Sequence, residues 1–198
     1  MGAKRVWLRP RLSSVASGSY DIQDRVATVV VSPSDGPVLA SQLITLSCAT
    51  SGASIYYTTT EPSAGDDITG WTEYNDTPFT VSDGGLWVAA GRSGWGDSPV
   101  TATSFTVQEV AESPSVSKAS GSYTTSVVVA LSSSTPGAVI RYTVDGVSDP
   151  TASSPAATSL TFSTLHSTTT VRAATFADGY FRSPVVSRTY TVLEQVAT

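Results

Sequence analysis

The chain has 198 residues, 14% of them charged, and a net charge of −5. That length allows one large domain or two small ones, and an acidic balance with a pI of about 4.7 disfavours nucleic acid as a partner, because phosphate binding needs a basic face. The single cysteine, Cys48, excludes an internal disulfide and suits folding in a reducing compartment.

Residues 1–25 read as an extended basic arm. Lys4, Arg5, Arg9, Arg11 and Arg25 stand against Asp21 and Asp24, a local net of +3 that leaves −8 for the other 173 residues. Lys4, Arg5, Trp7, Arg9 and Arg11 are the candidate partner contacts, because Trp and Arg are the side chains that most often anchor interfaces. Val6-Trp7-Leu8 is too short for the apolar core of a signal peptide, and Val6 breaks the N-myristoylation pattern. No run approaches the roughly 18 apolar residues of a membrane span. These features predict manufacture in the cytoplasm and no membrane partner.

A first module is expected over 26–108. Residues 27–31 read as a strand, and Ser32-Pro33-Ser34-Asp35-Gly36-Pro37 is dense in turn formers. Ile44, Leu46 and Cys48 share one face of the next strand, where Cys48 reads as a small buried apolar residue. Further strands are predicted at 53–58, 78–81, 86–90 and 100–107. Between the first and second of these lies a long irregular segment, 59–75. It brings Trp71 together with Asp66 and Asp67, an aromatic face beside polar groups, and is the candidate surface for a glycan. Residues 109–113 read as a short linker.

The second module, 114–193, repeats the first. Pro136-Gly137-Ala138-Val139-Ile140-Arg141-Tyr142-Thr143-Val144-Asp145-Gly146 stands 85 positions after a stretch in which Gly52, Ala53, Ile55, Tyr57 and Thr58 keep the same order and spacing. Val127, Val129 and Leu131 are expected to face inward. The pairs Gly94-Trp95 and Gly179-Tyr180, Ser98-Pro99 and Ser183-Pro184, and Phe105-Thr106-Val107 and Tyr190-Thr191-Val192 hold the same offset. Residues 194–198 form a tail. Six or seven short strands per module, with turn signals every 8–12 residues, predict an all-β chain of two tandem Ig-like antiparallel β-sandwiches.

The second module resembles the chitobiase/β-hexosaminidase C-terminal domain, an Ig-like or fibronectin III-like module. The resemblance rests on Gly121-Ser122-Tyr123, Pro136-Gly137-Ala138, the run from Ile140 to Gly146, Thr170-Val171-Arg172-Ala173, Gly179-Tyr180, Ser183 and Tyr190. The first module fits more loosely, with Thr59-Thr60-Glu61-Pro62 in place of Asp-Gly. In that family the module is an accessory and the hydrolase chemistry lies in a separate barrel, so the resemblance implies a fold and a modular role without catalysis.

The residues point the same way. The single histidine, His166, lies in a Ser/Thr loop, there is no nucleophile elbow, and one His with one Cys cannot make a zinc cluster. The acidic residues of the two loops lack EF-hand spacing. No catalytic residue, metal or cofactor is expected. The resulting expectation is a structural or interaction protein, a phage virion component (capsid decoration or tail protein) docked through its arm on other subunits of the shell or tail. The alternatives are a module that binds cell-surface glycans and the accessory domains of a glycoside hydrolase.

Overall fold

The computed structural model describes residues 24–63 and 67–195. The described chain is all β, in two sandwiches. The first contains β1 (Val29–Ser32), β2 (Gly36–Leu39), β3 (Thr45–Cys48), β4 (Ser54–Thr58), β5 (Thr72–Tyr74), β6 (Gly84–Gly91) and β7 (Thr101–Val110). The second contains β8 (Ser115–Val116), β9 (Gly121–Thr124), β10 (Val127–Ser132), β11 (Val139–Thr143), β12 (Ser159–Phe162), β13 (Ser167–Phe176), β14 (Tyr180–Phe181) and β15 (Val186–Leu193).

Each sandwich sets a small sheet against a larger one. In the first, β1 pairs β3, and the larger sheet runs β2, β7, β6, β4, β5. In the second, the order is β8, β10, β12 against β9, β15, β13, β11. The closing strands β7 and β15 are antiparallel to β6 and β13 on one side, and parallel to β2 and β9 on the other. The repeat extends to register: Val31 lies opposite Leu46 as Val116 lies opposite Leu131.

Alternation decides which side chains are enclosed. Ile44, Leu46, Ile55, Leu86, Val88 and Phe105 fill the first core. Val127, Val129, Leu131, Ile140, Val171, Tyr190 and Val192 fill the second, so the inward face read for β10 is the observed one. Tyr190 replaces Phe105 and needs a partner for its hydroxyl. It donates to the Lys118 carbonyl at 2.9 Å and stacks on Phe162 with ring centres 5.6 Å apart.

Several elements differ from the sequence expectation. The segment read as a turn contains β2, because a parallel partner, β7, accepts Gly36 and Pro37 at a sheet edge where the missing proline N–H costs no ladder bond. Around 78–81 there is only a bridge between Ile44 and Phe79. The irregular 59–75 segment contains β5. The linker begins inside a strand, since Glu109 and Val110 belong to β7.

Thr175 is fully buried at the position of Ala90 in the first module, and its hydroxyl finds no partner among the described residues. An orphaned buried hydroxyl costs about 1–3 kcal/mol. Thr175→Val should therefore stabilise the second module by about 1 kcal/mol, read as a raised denaturant midpoint at unchanged slope.

Candidate interaction surfaces

The turn that follows β6 and β13 is built the same way twice. Gly94 and Gly179 take positive φ, 78° and 79°, which other residues adopt only with strain. The N–H groups of Trp95 and Tyr180 close the turn on the carbonyls of Arg92 and Ala177, at 3.0 and 3.2 Å. Buried Ser98 and Ser183 then tie it to the strand. Each hydroxyl accepts the N–H of the strand residue, Ala90 or Thr175, at 2.8 Å and donates to the following proline carbonyl.

The pinned turn is a seat for the chain entering the module. In the first module Gly96 donates its N–H to the Asp24 carbonyl at 2.8 Å and accepts the N–H of Val26 at 2.9 Å. In the second, Tyr180 and Phe181 pair in parallel with Glu109 and Val110, and Ala111 donates to the Phe181 carbonyl at 2.9 Å. Two more bonds recur 85 positions apart. The N–H groups of Ala27 and Glu112 donate to the Thr50 and Thr135 hydroxyls, both at 2.8 Å. Cys48 Sγ and Ser133 Oγ donate to the carbonyls of Ala27 and Glu112, both at 3.3 Å. Val26 and Ala111, each 2% exposed, plug the base of their modules.

Cys48 is therefore half-buried and hydrogen-bonded, where the sequence suggested an enclosed apolar residue. Sequence reasoning missed the seat itself. Its signal was the offset pairing of Cys48 with Ser133, two residues that share only a small side chain able to donate.

The arm residues Lys4, Arg5, Trp7, Arg9 and Arg11 lie outside the described residues, as does Asp66. Arg25 is described, and its Nε donates to the Asp97 carbonyl at 2.7 Å. Trp71 is half-buried and its N–H closes a turn on the Ile68 carbonyl at 3.2 Å. Asp67 folds back on its own loop: the Thr69 hydroxyl and then the Thr69 N–H, at 2.9 Å, hold its carboxyl below the usual range. Trp95 packs on the first core beneath the Arg92 guanidinium, 4.6 Å from the ring centre.

The corresponding loop of the second module is stapled by charge. Asp149 meets Arg172 and, at 3.6 Å, Arg182; the Arg172 hydrogen bond is the main cause of its lowered pKa. Asp145 caps its own turn, with the Ser148 hydroxyl as the main cause of its lowered pKa and the N–H groups of Val147 and Ser148 at 3.0 and 2.9 Å. His166, in an exposed turn at φ 59°, faces Glu194 at 3.8 Å.

Residues 118–187 match the family described as Chitobiase/beta-hexosaminidase C-terminal domain. The second sandwich is a module of that type, and the first repeats its architecture. No curated protein matches the chain significantly in sequence. Among solved structures it is similar to the fibronectin(III)-like modules of Clostridium thermocellum CbhA, at 16% identity and TM-score 0.44, covering 86% of this chain and 98% of that one. Drosophila OTK extracellular domains 3-5 match at 11% identity and TM-score 0.45, over 84% of this chain and 61% of that one. Murine CEACAM1b matches at 12% identity and TM-score 0.41, over 82% and 98%.

Two predictions follow from these contacts. Cys48→Ser should retain the bond that Ser133 makes and change stability by less than about 1 kcal/mol, measured by chemical denaturation. Because the folded pKa of Asp149 is lowered, its pairing stabilises the module above the ordinary carboxylate value of about 3.9 and is lost as pH falls through the folded value. The stability difference between the native chain and Asp149→Asn should accordingly shrink towards zero on acidification.

Proposed function

We propose that the chain is a non-catalytic structural component of a larger assembly, a phage virion shell or tail, docked through residues 1–25 with its two modules displayed outward. The observation that carries this reading is the junction. The linker is a strand shared by both modules: β7 lies in the first larger sheet and continues onto the base of the second. The same bonds hold residues 24–27 on the base of the first module. Whatever grips the arm therefore grips a segment hydrogen-bonded to the first module, and the second module follows through one continuous strand. Such a coupling suits a part that must project at a set distance, where a free linker would let the modules swing.

The basic arm ahead of acidic modules supports docking on acidic or apolar subunits of the particle. The partners in this reading are other protein subunits, with neither nucleic acid nor membrane involved. The chain would be made in the cytoplasm and reside finally on the virion surface. The step from an Ig-like module to a virion is analogy at the level of fold; the coupling and the charge distribution are the residue-level support.

Glycan binding ranks second. Stacking on a sugar needs an exposed rigid aromatic face with free polar neighbours. Trp71 is half-buried, and the Asp67 carboxyl is already engaged by Thr69. On the assembly reading, glycan arrays should stay blank for the native chain and for Trp71→Ala alike. A reproducible hit abolished by Trp71→Ala would reverse the ranking. Deleting residues 1–20 should abolish incorporation into the particle and leave the melting of both modules nearly unchanged; normal incorporation of the truncated chain would sink the proposal.

A further inference from the structure

Each module joins its incoming chain to its last strand in the same direction. β2 lies parallel to β7, from Gly36 opposite Phe105 to Leu39 opposite Gln108. β9 lies parallel to β15, from Gly121 opposite Tyr190 to Thr124 opposite Leu193, the same register 85 positions on. The seats at the base are parallel as well, through Arg25 beside Gly96 in the first module and β7 beside β14 in the second.

Direction matters when a chain is pulled. In a parallel pair, the entering end of one strand and the leaving end of the other lie at opposite ends of the ladder. Tension between the segments that enter and leave a module therefore slides the two strands past each other. The ladder bonds are loaded together and must part together. An antiparallel pair in the same place would put both pulled ends at one end of the ladder, and its bonds would open one after another. The two parallel ladders act as clamps in series, because β7 leaves the first and is itself the chain entering the second module.

The clamps are unequal. In the second, the Thr189 N–H donates to the Ser120 hydroxyl at 3.0 Å, and the Tyr190 hydroxyl donates to the Lys118 carbonyl at 2.9 Å. Both bonds tie the segment just ahead of β9 to β15, so both add to those that must part together. Tyr123 of β9 also packs against Tyr190, with ring centres 6.1 Å apart. The first module has Phe105 in place of Tyr190, with no hydroxyl to give, and Asp35 in place of Ser120.

We infer that the chain bears tension along its length, and that the first module yields before the second. Forced unfolding follows the rate of unfolding, not the equilibrium stability, so the clamps set the order in which the modules open. The first module is the extensible element, which lengthens under a pull while the second still holds. This function depends on the two clamps and not on what grips the arm, so it goes beyond the assembly reading and does not rest on it.

Single-molecule force spectroscopy on the full chain, held through tags at its two ends, tests the inference. Two unfolding steps should appear, the later one at the higher force. Tyr190→Phe should shift the later step down and leave the earlier one in place. Asp149→Asn loosens a loop of the same module away from the clamp, so it should lower melting without moving either step. A second geometry checks the direction of loading. Ala130 and Ser159 are exposed and stand opposite each other on β10 and β12. Handles on Ala130→Cys and Ser159→Cys, in a chain carrying Cys48→Ser, pull the second module sideways. That pull should part it at a lower force than the pull through the ends. Equal forces in the two geometries, an earlier step that falls with Tyr190→Phe, or a later step that stays, overturns the inference. No particle is involved, so failure here is distinct from normal incorporation of the chain lacking residues 1–20, which would sink the assembly reading itself.

Discussion

A turn can accept a strand only if it is already rigid, and in both modules that rigidity comes from one buried serine. Ser98 and Ser183 each bridge the strand N–H behind the turn and the proline carbonyl ahead of it. The two bonds satisfy a hydroxyl that would otherwise be costly in a core, and they fix where the residues at 96 and 181 present their N–H and carbonyl. The glycines at 94 and 179 let the backbone close that turn without strain. Everything at the base of a module depends on this small arrangement, because the entering chain binds mainly through main-chain groups with little side-chain selectivity of its own.

The consequence for the joint is directional. A strand enters at the base turn beyond Gly91, and the closing strand leaves past Gly84, at the opposite end of β6. The exit of one module is thus positioned to become the entry of the next. A linker of this kind leaves little free chain to order, since β7 pairs with β2 up to Gln108 and the next two residues, 109 and 110, already pair with β14 of the second module. The buried plug, Val26 in one module and Ala111 in the other, adds apolar burial to bonds that would be weak if left in water.

Much of this was legible in the sequence because a repeat exposes itself by register. The strand faces of β3 and β10 followed from alternation, and the paired Gly-aromatic and Ser-Pro signals marked equivalent turns. What stayed hidden was contact between distant segments. Gly36-Pro37 has the composition of a turn, and only pairing with β7, nearly 70 residues later in the chain, makes it a strand. The bridge at Phe79 falls short of a strand because pairing there stops at a single residue, Ile44. Cys48 alternated correctly with Ile44 and Leu46, yet periodicity carries no information about the Ala27 carbonyl that meets its sulfur. The arm candidates stay as the sequence presents them, since they fall outside the described residues.

The two modules preserve the base and diverge in the long loops. The seat keeps four equivalent bonds across the repeat even where Cys48 exchanges with Ser133 and Val26 with Ala111. After β11, Asp145 caps one turn and Asp149 is stapled by Arg172 and Arg182. After β4, the loop instead carries Asp67, Ile68 and Trp71, with Ile68 packed close to Gly91. A constant base with variable loops is what separates coupling from recognition: geometry common to all modules belongs to the joint, and differences between modules can be tolerated only where no joint forms. What is peculiar to the first module is therefore concentrated around Trp71, and what both modules share lies at the base.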